Sequence, residues 1–463
     1  MAEHSFDYVI IGSGATGLSF ADVLLTHSDA SIALVDRRSD PGGHWVDGYP
    51  FLRLHQPSAY YGVESTPLGR NHITEQGPDA GLYERASVHE LRGYYANLVT
   101  DRFLPSGRVQ FYGSSEYLGE EDDAHVIRSC WNGTLKRLRA RRAFVDATYM
   151  QSIVPATHTP SFSVAEGVRL VTPTTLVNNS DGADGFTVIG AGKTAADVCG
   201  WLLEQGVDPE SIVWVRPRDC WFSNRIGAQP LARVDEMARS QANFMEAAAK
   251  AEDGPDLALR LEASGNYVRL DDQVRPELFR GAMLSLHELE ALRGVPRVVR
   301  RGYVEAIDRH RIQFEDGDEP STPQRVHVDC TARGLASSPQ VPVYADGRVT
   351  IQPATPGVAP WSAAVLAWVE AHVDDTVEKN RLCPSLRRSG RQADQPGELL
   401  AAFSAEMGRR AEPSFRAWAA TCRLNPGRGL NERLKRADLA DVAGRMAEYG
   451  PKAMKNLARI AKS

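Results

Sequence analysis

Residues 7–17 read DYVIIGSGATG, and this stretch decides the fold. A short run of apolar and β-branched residues is typical of a strand that is buried on both faces of a parallel sheet. Three glycines in the spacing GxGxxG follow it and lead into an apolar pattern of helical period. A second buried strand over 31–35 then ends at Asp36. This order of strand, glycine turn, helix, strand and acid predicts a Rossmann-like dinucleotide site.

The glycines of this turn have distinct predicted roles. Gly12 permits the sharp bend, Gly14 lets the backbone approach a pyrophosphate, and Gly17 allows the helix to pack closely on the strand. The unpaired N–H groups at the start of the helix face the phosphates. Asp36, about 20 residues on, would accept hydrogen bonds from a ribose diol and repel a 2′-phosphate. The predicted contacts of this first site are Gly12, Gly14, Thr16, Gly17, Asp36 and Arg37.

The same pattern recurs at residues 186–198, which read FTVIGAGKTAADV. The strand that follows, 211–215, ends in no acid, and Arg216 and Arg218 stand there instead. Arginines at this place favour a 2′-phosphate, hence NADPH over NADH, although a solvated strand end would leave the same pattern. The predicted contacts of the second site are Gly190, Gly192, Lys193, Thr194, Arg216 and Arg218. Two dinucleotide sites in one chain imply electron transfer, so we expect FAD in the first and NADPH in the second.

Length and composition agree with a small-molecule enzyme. The chain has 463 residues, enough for two to four domains of roughly 100–200 residues. Its 53 Lys and Arg against 59 Asp and Glu give a net charge of −6, which offers no general attraction for nucleic acid. No apolar run approaches the roughly 18 residues of a membrane span, and the N-terminus lacks a signal-peptide pattern. Six scattered cysteines, without a CxxC pair or a metal cluster, indicate the reducing cytoplasm.

The predicted fold class is α/β. It consists of two Rossmann-like dinucleotide-binding domains, the NADPH domain inserted into the FAD domain, and a helical C-terminal extension. The predicted bounds are 1–150 and 321–395 for the FAD domain, 151–320 for the NADPH domain with a helical insertion at 229–295, and 396–463 for the extension. We expect a helix break at Gly450-Pro451. The basic residues from Arg433 to Lys462 predict a helical cap or a homodimer surface, with an anionic membrane or another partner as alternatives.

The two glycine turns, together with GGHW at 42–45 and DCTARG at 329–334, resemble the flavoproteins with two dinucleotide-binding domains. Within that superfamily GGxW resembles the class B flavin-dependent monooxygenases, whereas the redox cysteine pair of the pyridine nucleotide disulfide reductases is missing. The FxGxxxHxxx(Y/F/W) fingerprint of the flavin-containing and Baeyer–Villiger monooxygenases is absent between 146 and 186, so the chain resembles an outlying branch. The further cofactor-binding residues that the resemblance implies are Gly43, His44, Trp45, Gly334, Trp361 and Ser362.

The resemblance implies an oxidoreductase in which NADPH reduces FAD. A flavin C4a-peroxide formed from O₂ then passes one oxygen atom to a small molecule, by N- or S-oxygenation or a related reaction. Such chemistry needs a dry pocket and few side chains. His55 and Gln56, in the segment that passes the flavin ring in similar monooxygenases, are the predicted catalytic residues, with a structural hydrogen bond in the loop as the alternative role. The other functions left open are an NADPH-dependent flavin oxidase or dehydrogenase without oxygen insertion, and a non-catalytic flavoprotein redox sensor or interaction partner.

Overall fold

The computed structural model describes residues 3–332, 334–335, 338–355, 357–386 and 389–462. Arg333, in the predicted segment 329–334, therefore lies outside the described residues. The strands are β1 (Glu3–Ile11), β2 (Ile32–Val35), β3 (Val109–Tyr112), β4 (Ser115–Glu121), β5 (Ala124–Ser129), β6 (Leu135–Asp146), β7 (Ser152–Ile153), β8 (Ser163–Val164), β9 (Arg169–Val171), β10 (Phe186–Ile189), β11 (Ile212–Val215), β12 (Cys220–Asn224), β13 (Tyr267–Val268), β14 (Leu278–Leu284), β15 (Arg297–Val299), β16 (Val304–Ile307), β17 (Arg311–Phe314), β18 (Gly317–Pro320), β19 (Val326–Asp329), β20 (Gly334–Leu335), β21 (Tyr344–Ala345) and β22 (Arg348–Thr350).

The α-helices are α1 (Ala15–His27), α2 (Val88–Leu98), α3 (Pro173–Leu176), α4 (Lys193–Glu204), α5 (Val234–Lys250), α6 (Gly254–Ala263), α7 (Leu286–Arg293), α8 (Ala359–His372), α9 (Thr376–Leu382), α10 (Gln395–Ala411), α11 (Pro413–Thr421), α12 (Leu430–Arg433) and α13 (Ala440–Ile460). Within the described ranges, no helix is both long enough and apolar enough to cross a membrane.

Two parallel sheets form the core of the fold. The parallel strands of the first have the order β3-β2-β1-β6-β22, with β21 added antiparallel beside β22, and the second has the order β15-β11-β10-β19-β9. In each sheet the strand that leads into a glycine turn is central, and every residue of β2, β10 and β11 is buried. This agrees with the continuous apolar runs expected of strands covered on both faces. The predicted α/β class with two Rossmann-like units and a helical C-terminal region is confirmed.

Several details differ from the sequence prediction. The second sheet includes β19, which lies beyond the boundary predicted at 320. The predicted helical insertion also contains β13 and β14, which pair with β12 in a three-stranded sheet. The basic run before 143 lies in the long strand β6, which pairs with β5, and β5 in turn pairs with β4.

The helix break predicted at Gly450-Pro451 is wrong, because α13 continues through Pro451 to Ile460. A proline inside a helix removes one backbone hydrogen bond and costs about 3 kcal/mol. Burial of α13 against the insertion offsets this cost, since Leu457 and Ile460 lie in one apolar cluster with Ala248 and Leu257. Tertiary packing therefore overrides the local signal.

The C-terminal extension contacts both units. Arg445 of α13 pairs with Glu246 of α5 at 2.6 Å, which joins the extension to the insertion of the second unit. Beyond α11, Arg423 donates hydrogen bonds to the carbonyl oxygens of Tyr61 and Ala59, both at 2.9 Å. The extension therefore fixes the segment of the first unit that follows His55, rather than standing apart from the two domains.

Candidate dinucleotide and active site

The first glycine turn has the backbone that its sequence predicts. Gly12 has φ of +105°, a conformation that side chains rarely adopt. A Cβ on Gly17 would lie 2.0 Å from the carbonyl oxygen of Gly12, so only glycine lets α1 pack this closely on the turn. Gly14 precedes α1, and no side chain caps the first N–H groups of that helix. These N–H groups are therefore available to an anion.

Asp36 braces this turn. Its Oδ2 accepts hydrogen bonds from the backbone N–H of Ser13 at 2.7 Å and from the Ser13 hydroxyl at 2.9 Å. Its Oδ1 accepts from the backbone N–H of Arg38 at 2.9 Å. The side chain is buried at the end of β2, whereas Arg37 beside it is exposed. The carboxylate thus joins the strand end to the glycine turn, and ribose recognition by Asp36 stays a prediction.

The GGHW segment lies directly on the first turn. The Gly42 N–H donates to the carbonyl of Ser13 at 2.8 Å, and a Cβ on Gly43 would lie 2.8 Å from the Cα of Gly14. Neither backbone could approach so closely with a side chain at position 43. The Trp45 indole N–H donates to the Tyr61 hydroxyl at 3.1 Å inside the core, which agrees with a packing role for this ring.

The second turn repeats the first. Gly190 has φ of +136°, and its N–H donates to the carbonyl of Val215 at 3.0 Å, as the N–H of Gly12 donates to that of Val35 at 2.8 Å. Gly192 precedes α4, and a Cβ built on it would meet no atom within 4 Å. No side chain caps the start of α4. The space beside Gly192 is therefore open to a ligand, while Thr194 lies in the first turn of the helix.

A further duplication joins the two units. Asp146 Oδ1 accepts hydrogen bonds from the backbone N–H of Thr148 at 2.9 Å and from its hydroxyl at 2.7 Å. Asp329 and Thr331 form the same pair of bonds, at 2.9 and 2.6 Å. Each of these Asp-x-Thr turns lies against a glycine turn, because a Cβ on Gly12 or on Gly190 would touch the residues inside it. Gly334 follows with φ of +69° in β20.

The two arginines after β11 have different surroundings. Arg216 is buried and pairs with Asp219 at 3.3 Å, and Asp271 lies 3.9 Å away. Desolvation by burial lowers the pKa of its guanidinium. Arg218 is exposed, with its guanidinium 5.7 Å from the centre of the Tyr303 ring. The charge of Arg216 is therefore neutralised within the protein, and Arg218 keeps a charge that faces solvent.

Lys193 is also paired rather than free. Its side chain is buried, its ammonium contacts the carboxylate of Asp197 one helical turn along α4, and Glu288 lies 3.7 Å away. Asp197 in turn accepts a hydrogen bond from the Tyr49 hydroxyl at 2.7 Å. Phosphate binding by Lys193 stays a prediction, whereas its observed partners tie α4 to the segment before His55.

Residues 49–56 of the first unit lie on α4 of the second. The rings of Phe51 and Trp201 stack with their centres 4.8 Å apart. His55 and Gln56 are half-buried, and the side chain of neither makes a hydrogen bond to any described residue. Burial, with a smaller contribution from the nearby charge of Lys193, lowers the pKa of His55 to about 4. His55 is therefore neutral at pH 7, with both ring nitrogens available to a ligand.

The predicted residues of α8 have protein partners. Trp361 is buried and stacks on Trp418, with ring centres 5.1 Å apart. The hydroxyl of Ser362 accepts from the backbone N–H of Thr355 at 3.1 Å. A contact of either residue with a flavin ring stays a prediction. Burial lowers the pKa of His44 to about 4, and its ring lies 4.8 Å from that of Trp45.

Sequence reasoning missed the buried charges at the junction of the two units. Asp79 and Arg85 come from the first unit, and Arg225 and Glu288 come from the second. Their side chains are between 0 and 13% exposed. No local signal identifies them, because each is an isolated charge in a loop or on an amphipathic helix, and the paired residues are up to 203 positions apart in the sequence.

Comparison with known proteins places the fold. Residues 10–50 match the family of the NAD(P)-binding Rossmann-like domain. Two crystal structures of cyclohexanone monooxygenase align with TM-scores of 0.55 and 0.52, at 15% and 13% identity, covering 89% and 90% of this chain and 99% of each of those chains. The uncharacterized proteins Rv2000 of Mycobacterium tuberculosis and Mb2023 of Mycobacterium bovis are each 38% identical over 420 residues, which is 90% of this chain and 77% of the relative. The chain belongs to the same family as Rv2000, and it shares its fold with cyclohexanone monooxygenase.

Proposed function

We propose that this protein is a flavin-dependent oxidoreductase that binds FAD at the first glycine turn and NADPH at the second. The observation that carries the proposal is the pair of equivalent turns at Gly14 and Gly192, each followed by a helix without a side-chain cap. Such helix starts bind the phosphates of dinucleotides. One chain that binds two dinucleotides has an evident use for them, which is electron transfer from one to the other.

The residues of the first turn fit FAD. Gly12, Gly14 and Gly17 give the bend, the close approach and the helix packing that a pyrophosphate site requires. The contact between Gly43 and Gly14 adds a second stretch of side-chain-free backbone at the same place. Asp36 at the strand end holds a negative charge that disfavours a 2′-phosphate, in agreement with FAD rather than NADPH in this unit.

The second turn fits NADPH. The open space beside Gly192 can take a pyrophosphate, and the described end of β11 carries no acid in the position equivalent to Asp36. Arg218 is exposed there, and an arginine binds a phosphate through a fork of N–H donors. We therefore assign recognition of the 2′-phosphate to Arg218 rather than to Arg216, which is already paired.

At a finer level, we infer that the enzyme is a monooxygenase that inserts one atom of O₂ into a small molecule, by N- or S-oxygenation or a related reaction. The GGHW segment and the fold shared with cyclohexanone monooxygenase support this assignment. FAD, when bound, would supply hydride acceptance from NADPH and the activation of O₂. The contribution of the protein is binding, orientation and exclusion of water.

We propose His55 as the side chain that acts on the reacting atoms. It lies in the segment between the two turns, near Lys193 at the start of α4, and its ring has no hydrogen-bond partner among the described residues. Because its pKa is about 4, the ring stays neutral and can donate one hydrogen bond and accept another at pH 7. Gln56 offers an amide donor and acceptor beside it.

The test begins with the purified protein. We expect FAD to be released on denaturation, and NADPH to be oxidised in air faster than NADH. A panel of amines and sulfides is then incubated with isotopically heavy O₂, and the product of a turned-over compound should carry one heavy oxygen atom by mass spectrometry. Products without the heavy atom would replace the monooxygenase assignment with an oxidase or dehydrogenase. Protein that binds no flavin would contradict the whole proposal.

A further inference from the structure

We propose that Asp79, Arg85, Arg225 and Glu288 form an ionic ring that positions His55 through the docking of one dinucleotide unit on the other. We call these four residues the junction ring. The importance of this positioning for catalysis rests on the proposed role of His55. The statement that the junction ring holds the backbone at His55 does not depend on that role.

The junction ring is closed. Asp79 Oδ2 accepts from the guanidinium of Arg85 at 2.8 Å, and its Oδ1 accepts from that of Arg225 at 2.7 Å. Glu288 lies on the other side, with Oε1 3.2 Å from Arg85 and Oε2 2.7 Å from Arg225. Each carboxylate therefore bridges both guanidiniums, and the two positive and two negative charges cancel. Buried charges are tolerated when they are paired and hydrogen-bonded in this way.

The junction ring crosses the boundary between the units. Asp79 and Arg85 precede α2 in the first unit, whereas Arg225 follows β12 and Glu288 lies in α7 of the second. The carboxylate of Glu288 is held in turn, because it accepts from the backbone N–H of Ser285 at 2.8 Å in the capping box of α7. Each arginine is thus paired with one carboxylate from its own unit and one from the other.

The arginines also bind the backbone of the predicted catalytic segment. Arg225 Nε donates to the carbonyl oxygen of His55 at 2.9 Å, and Arg85 donates to that of Leu54 at 3.0 Å. Two consecutive carbonyls are thus held by residues of opposite units. Displacing one unit by about 1 Å would lengthen the bond to His55 beyond hydrogen-bond range. Arg225 is therefore a positioning residue, which acts through the backbone of His55.

Charged groups from both units surround the His55 ring. Lys193 and Asp197 face it from α4, and Arg225 and Arg85 face it from the junction ring. Burial is the largest cause of its lowered pKa, and Lys193, Arg225 and Arg85 add to the lowering while Asp197 opposes it. A change that frees the backbone at 54–55 exposes the ring to water and raises this pKa toward its ordinary value.

The experiment compares Arg225→Lys with Arg225→Gln in the FAD-bound protein. Lysine keeps the positive charge but cannot donate to His55, Asp79 and Glu288 together in a fork. The pKa of His55 is measured by NMR with isotope-labelled histidine, and its signal is identified by its loss in His55→Gln. We expect a rise of about 1 pKa unit or more in both Arg225 variants.

Arg409→Lys is the matched control. Arg409 is fully buried, pairs with Glu406 at 2.9 Å, and donates to the carbonyls of Leu382 and Ala354 at 2.9 and 2.8 Å. Like Arg225, it is fully buried and binds a carboxylate and two backbone carbonyls, and among the described residues no hydrogen bond or ion pair joins it to the junction ring or to residues 54–55. We expect this variant to lower the melting temperature and to leave the pKa of His55 unchanged.

The outcomes separate the inference from the proposed function. If the pKa of His55 rises in Arg225→Gln but not in Arg225→Lys, Arg225 acts through its charge and not by holding the backbone, and the inference is overturned. An equal rise of the His55 pKa in Arg409→Lys would show that the effect comes from a general loss of packing, and it would also overturn the inference. If His55→Gln leaves NADPH oxidation and product formation unchanged, the catalytic role of His55 fails, while the pKa comparison still decides whether the junction ring positions it.

Discussion

Gly192→Ala separates cofactor binding from folding at the second turn. Gly192 has φ of −90° and ψ of −173°, which alanine adopts without strain, and the added Cβ would meet no atom within 4 Å. Alanine restricts the unfolded chain more than glycine does, which raises the free energy of unfolding by about 0.4–1 kcal/mol. Alanine is also a poorer N-cap than glycine, which lowers the free energy of unfolding by a similar amount. We therefore expect the free energy of unfolding to change by less than about 1 kcal/mol.

The effect on NADPH should be large by comparison. The added methyl group occupies the space that a pyrophosphate needs to reach the N–H groups at the start of α4. Losing one hydrogen bond to a charged group costs about 1.5–3 kcal/mol, equivalent to about 10- to 150-fold in affinity. FAD content should stay that of the wild type, because the first turn is unchanged.

The assay is a titration of the FAD-bound protein with NADP⁺, together with the KM for NADPH. Gly200→Ala is the control, since Gly200 lies within the same helix and a Cβ there also meets no atom within 4 Å. We expect this control to be more stable than the wild type by about 1 kcal/mol and to bind NADP⁺ with wild-type affinity. Wild-type affinity in Gly192→Ala would refute the assignment of the second turn to a dinucleotide.

Three further predictions concern single residues. Gly17→Ala places a Cβ 2.0 Å from the carbonyl of Gly12, so we expect at least about 3 kcal/mol of destabilisation and loss of FAD, measured by urea unfolding and flavin release. Arg218→Ala should lower the preference for NADPH over NADH by about 10- to 100-fold in kcat/KM, whereas Arg216→Ala should instead cost about 2–4 kcal/mol of stability; the reverse pattern would exchange their roles. Burial lowers the pKa of His327 from its ordinary 6.5 to about 4. Between pH 6.5 and 4, His327 is therefore protonated in the unfolded state and neutral in the folded state. Stability should fall as pH drops from about 6.5 to 4, by about 1 kcal/mol per pH unit from this group, and His327→Gln should show a shallower fall in urea unfolding.

The glycine turns could be read from sequence because their requirements are local. A bend at Gly12 and a close contact at Gly17 depend on residues within six positions of each other, and an acid at Asp36 ends the very next strand. The duplication of the unit follows from the same pattern at Gly190. The connection rules for parallel sheets agree with the observed pairing of β1 with β2 and of β10 with β11, but they do not give the full order of strands.

The ion pairs of Arg216 and of Lys193 could not all be read in this way. The sequence places Arg216 at the correct strand end, but its pairing with Asp271 depends on a loop 55 positions later. Lys193 has the composition of a phosphate ligand and is instead paired with Asp197 and Glu288. The local partners Asp197 and Asp219 are visible in the sequence, whereas Glu288 and Asp271 are brought near these charges only by tertiary contacts.

The path of α13 shows the same limit. Gly450-Pro451 is a strong local signal for a helix end, and the helix nonetheless continues because one face of it is buried against α5 and α6. The junction ring is the extreme case, since four isolated charges acquire their role only when the two units meet. The residues of each glycine turn suffice to predict that turn from the sequence, whereas the junction ring depends on how the two units pack together.

An anaerobic titration of the purified protein with NADPH tests whether the two dinucleotide sites exchange electrons. We expect the protein to carry FAD and an equimolar amount of NADPH to bleach the visible flavin absorbance, faster than NADH at the same concentration. A protein without flavin, or a bound flavin that NADPH leaves oxidised, would contradict this expectation.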